Sequence, residues 1–131
     1  MSSIIATVHN IQTVQNLNIV SFTCNESLLK MMSLDLEEQI QKGTKVLLTC
    51  KPTAIAIAKN FQGQLSYANQ LHVSITNINV GELLSVLKLQ FGEFVLESVI
   101  TTDSQKRMQL QCGEEVIALI KSSDLSIKEV L

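Results

Sequence analysis

The sequence predicts an all-β chain made of two tandem copies of one small barrel, and three observations support that expectation. The first is an internal repeat. Asn10-Ile11 recurs as Asn77-Ile78, Leu17 as Leu84, Val20 as Leu87 and Leu29 as Leu96. After a slip of three residues, Gly43 matches Gly113, Val46 matches Val116, Lys51 matches Lys121, Thr53 matches Ser123 and Ile57 matches Ile127. The second is alternation of apolar and polar residues, as in Leu71-His72-Val73-Ser74-Ile75, which places Leu71, Val73 and Ile75 on one face of a strand. The third is composition. With 46% hydrophobic residues against 17% charged, the chain has enough apolar mass to fold, and with 4% aromatics and no Trp its core is aliphatic.

Taken in order, the alternating stretches predict strands near residues 4–12, 17–23, 27–33, 45–51 and 54–58 in the first copy. Their counterparts lie near 70–78, 83–91, 93–101, 115–121 and 124–128. Phe91-Gly92-Glu93-Phe94 sets a turn glycine between two apolar runs and reads as a tight hairpin. Between the third and fourth strands lie polar segments at 35–42 and 103–111. There Asp35 or Asp103 is expected to cap one or two helical turns, and Gly43 or Gly113 to end them. Five strands and one short helix in about 60 residues are the parts of an OB-like Greek-key barrel. The fold class expected is therefore all-β, two tandem OB-like five-stranded Greek-key barrels each with one short helix, spanning residues 1–60 and 66–131. Asn60-Phe61-Gln62-Gly63-Gln64-Leu65 breaks the alternation and joins them.

The charge pattern and the absence of familiar motifs narrow the function. A net charge of −2 gives no basic face for nucleic acid or an anionic membrane, so any anion has to be captured by local groups. Cys24, Cys50 and Cys112 are odd in number and without C-x-x-C spacing, which predicts buried free thiols in a reducing compartment. His9 and His72 have no second ligand at metal spacing, and Glu37-Glu38 and Glu114-Glu115 read as solvated turn charges. No phosphate-binding loop, serine elbow or Cys–His signature appears, so no enzyme, no catalytic residue and no metal ion are expected. The Met-Ser-Ser-Ile-Ile-Ala-Thr-Val-His start lacks a basic region leading into an apolar core, and no apolar run is long enough to span a bilayer; the expectation is cytoplasmic.

The second copy contains Ser66-Tyr67-Ala68-Asn69-Gln70-Leu71, then Val99-Ile100-Thr101-Thr102-Asp103-Ser104, then the run from Gly113-Glu114-Glu115-Val116 to Lys121-Ser122-Ser123. This resembles the molybdenum-pterin-binding (Mop) or TOBE domain, with its Ser-Ala-Arg-Asn-Gln-Leu, Thr-x-x-Ser and Ile-Lys-Ala-Ser motifs. Two such domains in tandem resemble the di-Mop molbindins. The resemblance implies an oxyanion ligand, molybdate or tungstate, bound between neighbouring chains of a homotrimer with six domains. It places the ligand contacts on Ser66, Asn69, Thr101, Ser104, Lys121, Ser122 and Ser123, and in the first copy on Lys51 and Thr53. Three departures from the pattern stand out. Ala68 stands where the family has arginine, Leu34 and Glu37 stand where Thr-x-x-Ser belongs in the first copy, and Pro52 follows Lys51 and removes a backbone N–H.

The residue chemistry agrees with an anion site, because a dianion leaving water needs several donors and a compensating positive charge, here Lys121. Other roles suit the same residues. Ser66 and Asn69 also fit a linker that satisfies its own backbone, and Thr101 and Ser104 straddle a helix start where hydroxyls cap. The function expected is binding of molybdate or tungstate for storage and molybdenum homeostasis. The alternatives are an oxyanion sensor or interaction module, and an OB-type nucleic-acid module, for which aromatics over a basic groove are missing.

Overall fold

A computed structural model describes residues 2–131 of the chain. Its elements are β1 (Ser2–Val14), β2 (Leu17–Cys24), β3 (Ser27–Ser33), β4 (Lys45–Cys50), a 3-10 turn (Pro52–Ala54), β5 (Ala56–Ala58), β6 (Asn69–Val80), β7 (Leu84–Phe91), β8 (Phe94–Thr101), α1 (Thr102–Arg107), β9 (Glu115–Ile120) and β10 (Ser126–Val130). The strands fall where the alternation puts them, because period-2 patterning reports one buried face directly. In β6, Leu71, Val73 and Ile75 are buried and His72 and Thr76 are exposed. The repeat extends to fine detail. Both long strands break register at matching positions, between Val8 and Asn10 in β1 and between Ile75 and Asn77 in β6. Gly43 and Gly113 both take positive φ and donate their N–H to Val8 O and Ile75 O.

The strands form two curled five-stranded antiparallel sheets, in the orders β10-β4-β1-β2-β3 and β5-β9-β6-β7-β8, consistent with OB-like barrels. One expectation fails here: neither repeat keeps its own fifth strand. β5, from the first repeat, pairs with β9, and β10, from the second, pairs with β4. The segments 51–55 and 121–125 each cross from one sheet to the other. A buried side chain in each anchors the crossing, Ile55 and Leu125, and these two line one small cavity together with Leu48, Leu96 and Ile120. Burying an Ile or Leu contributes about 1.5–3 kcal/mol, so each crossing completes the core of the half that receives it.

Two matching hydrogen bonds join the outer strand of each sheet to the central strand of the other across the same junction. Lys30 N–H donates to Asn69 Oδ1 at 2.7 Å, and at the matching position Glu97 N–H donates to Ser2 Oγ at 2.6 Å. The tips of the two hairpins also meet. Gly92, at φ +57, lies so close to the Asn25 side chain that any Cβ there would overlap it. The expected hairpin at Phe91–Phe94 is formed, with those two residues paired.

The second helix expected from the repeat is absent: residues 34–42 form turns only. In the second copy Thr101 Oγ1 accepts from Ser104 N and caps α1, with Asp103 in the first turn instead of at the cap. The first copy has Leu34 at that place, which offers no acceptor, and its loop is three residues shorter, nearly one helical turn. Cys24 and Cys50 are buried, but Cys112 is exposed in the turn before β9, against expectation. No helix among the described residues is long and apolar enough to cross a membrane.

Candidate functional site

Each sheet leaves its two outer strands facing one another across a groove, and the exchanged tails decide what lines it. The groove of the second sheet, about 590 Å³, is bounded on one side by Thr53, Ile55 and Ala56 and on the other by Val99, Thr101 and Ser104; Lys121 and Asp124 also line it. The groove of the first sheet, about 520 Å³, runs between Met32, Asp35, Glu37 and Ile40 and the tail residues Ser123, Ser126, Lys128 and Glu129. The expected ligand set is therefore redistributed. Thr53 of the first copy joins Thr101, Ser104 and Lys121 of the second, while Ser123 goes to the opposite groove. Ser122 is left at the crossing, where its carbonyl accepts from Met32 N at 2.9 Å.

Three expected ligands sit elsewhere. Ser66 is exposed ahead of β6 and lines neither groove. Lys51 is exposed and precedes the 3-10 turn, its carbonyl accepting from Ala54 N. Asn69 is fully buried, with Oδ1 taken by Lys30 N and Nδ2 donating to Lys30 O at 2.9 Å. Its amide replaces a neighbouring strand along the outer edge of β3, which makes Asn69 a structural residue.

The hydroxyls of the second groove form an ordered relay. Thr101 Oγ1 accepts from Ser104 N at 3.1 Å and donates its proton to Ser104 Oγ at 2.9 Å. Ser104 Oγ also accepts from Arg107 Nη2 at 3.1 Å. With both lone pairs of Ser104 occupied, its own O–H proton is free, and the two incoming donors polarise it as a donor. Capping and donation to an anion thus coexist, with Thr101 orienting Ser104. Opposite, Ser98 Oγ donates to Ile55 O at 2.6 Å and holds the crossing segment against β8.

A second cation braces this groove from behind. Lys59, just after β5, donates to Met108 O at 2.9 Å and Gln109 O at 3.1 Å at the end of α1, and lies 2.9 Å from Glu114 Oε2. It ties the strand behind one wall to the helix that begins the other. Glu114, expected to be a free turn charge, is thus paired; the Lys59 hydrogen bond foremost, then the Gln111 N–H, holds its carboxyl below the ordinary range. Lys59 and Arg107 escaped the sequence reading. Arg107 lies three residues after Ser104 on a helix, a spacing that brings side chains together, whereas nothing local marks Lys59.

The remaining chemistry is limited. Burial and then the Asp124 charge push the Cys50 thiol up to about 11, so it stays protonated and is a poor nucleophile or metal ligand. Among the described residues no cluster of three His, Cys, Asp or Glu side chains is placed to hold a metal ion.

Comparison with known proteins defines the class. Residues 65–127 match the TOBE domain family, which places a TOBE domain on the second repeat. The fold of the chain matches that of a particular solved protein, the cytoplasmic molybdate-binding protein ModG with molybdate bound. The TM-score is 0.89 at 18% identity, covering 95% of this chain and 93% of that one. No curated protein matches the chain by sequence.

Proposed function

We propose that the chain binds molybdate, with tungstate as its chemical equivalent, in the groove of the second sheet, and that it is a binding protein and not an enzyme. The observation that supports this most is the convergence of an oriented Ser104 hydroxyl, Thr53 and the Lys121 ammonium in one groove, within a fold shared with molybdate-bound ModG. Lys121 supplies charge for a dianion, which is costly to remove from water unpaired. The groove is also far larger than a tetrahedral oxyanion, which displaces on the order of a few waters of about 30 Å³ each. A second surface is needed to close it.

That surface is another copy of the chain. Val80, Leu83 and Leu84 are 51%, 79% and 56% exposed, and Leu84 lines the groove itself. The assembly proposed is a homotrimer with the oxyanion between chains, acting in storage and molybdenum homeostasis inside the cell. Calorimetry on the full chain should show molybdate and tungstate binding more tightly than sulfate, which is smaller and reaches the same donors less well. Lys121→Ala should lose roughly 1.5–3 kcal/mol of that affinity. Equal or tighter sulfate binding, or an unchanged Lys121→Ala, would count against the reading.

A further inference from the structure

Charge balance in the second groove leaves a deficit. Its lining holds one ammonium, Lys121, and one carboxylate, Asp124, which offset each other before any anion arrives. A dianion partly withdrawn from water needs more positive charge than that. A further cation, the Arg107 guanidinium, lies outside the lining but one hydrogen bond from it, with Nη2 3.1 Å from Ser104 Oγ.

We propose that Arg107 is the second cation of the oxyanion site, acting both directly and through Ser104; this rests on the function proposed above. A guanidinium presents five N–H donors in a planar fork, and the bond to Ser104 uses one. Arg107 is exposed, so the others are free to turn onto oxygens of an anion seated at Ser104. The same bond loads the second lone pair of Ser104 and thereby directs its proton into the groove. Arg107 thus supplies charge where Lys121 alone is cancelled by Asp124, and it does so from the side of the groove opposite Thr53. Its counterpart region in the first repeat forms no helix, so the first groove has no equivalent cation.

The test is calorimetric titration of the full chain, as wild type, Arg107→Ala and Arg107→Lys, with sodium molybdate at low and high ionic strength. Arg107→Ala should weaken binding about tenfold, the scale of one charge-assisted hydrogen bond. It should also flatten the dependence of affinity on salt, a readout that a merely structural role would not move. Arg107→Lys should fall between, because an ammonium keeps the charge and loses the fork. Melting temperatures should agree across the three, since Arg107 is exposed. Wild-type binding with an unchanged Arg107→Ala affinity and salt slope would overturn this proposal alone. A wild type that binds no molybdate would overturn the proposed function and this inference with it.

Discussion

The two grooves are built on one repeat and differ in almost everything that an anion would sense. In the second, Ser104 and Thr101 sit at a capped helix start, facing Thr53 and Lys121. In the first, Glu37 takes the place of Ser104 and Leu34 that of Thr101, and three carboxylates, Asp35, Glu37 and Glu129, face the single ammonium of Lys128. The braces differ too. Where Lys59 ties β5 to the end of α1 at the second groove, the matching tail residue at the first groove is Glu129, and where Glu114 accepts from Gln111 N, Thr44 Oγ1 accepts from Gln41 N at 3.1 Å. The backbone has kept its symmetry, with the same bulges and the same glycines, while one groove has turned acidic. A fold of this kind constrains its core and its turns; the groove residues vary independently of both.

Strand exchange explains how such divergence is tolerated, because neither half stands alone. Asn69 is the strongest test of that dependence. Asn69→Ala leaves the part-buried N–H and C=O of Lys30 without partners, and should cost about 1–3 kcal/mol in chemical denaturation. Ser2→Ala, which removes the matching single acceptor from Glu97 N, should cost less. Equal and negligible losses would mean that the junction rests on its apolar core alone.

A smaller effect separates the braced groove from the unbraced one. Lys59→Met removes the donor to Met108 O and Gln109 O and should lower stability by roughly 1 kcal/mol, since the pair is partly exposed and such contacts are weak. The reverse change at the first groove, Glu129→Lys, should raise stability little, because α1 has no counterpart there to be tied. The smallest effect is in pH. Glu114 is held below its ordinary value of 4.5 in the folded protein, so its contribution is complete above that pH and disappears as pH falls through the lowered value. Thermal melts should therefore show Glu114→Gln and wild type separated by a constant gap above about pH 4.5 and converging as pH drops below it. Parallel curves across that range would remove the Lys59–Glu114 pair from the account.

Much of the fold was legible because strand patterning and turn chemistry are local. Leu71-Val73-Ile75 marks a buried face without reference to any partner, and Gly92 marks a hairpin by its own conformation. The exchange of β5 and β10 was not legible, because a strand's pattern says which face is buried and not which strand lies beside it. The two tails are alike enough to serve either sheet. Of the candidate site, Thr53, Thr101, Ser104 and Lys121 were named from the sequence and do converge. Asn69 was misread because a buried amide serving an outer strand and an amide serving a ligand share one residue type in one motif. Lys59 depends on a contact across 55 positions to Glu114, which no local signal reports.

We propose that only the second groove binds the oxyanion. Native mass spectrometry of the full chain in molybdate, repeated with Lys121→Ala and with Glu37→Lys in the first groove, measures it most directly. One anion per chain is expected in wild type, retained in Glu37→Lys and lost in Lys121→Ala. Two anions per chain, or one that survives Lys121→Ala and responds to Glu37→Lys, would contradict it.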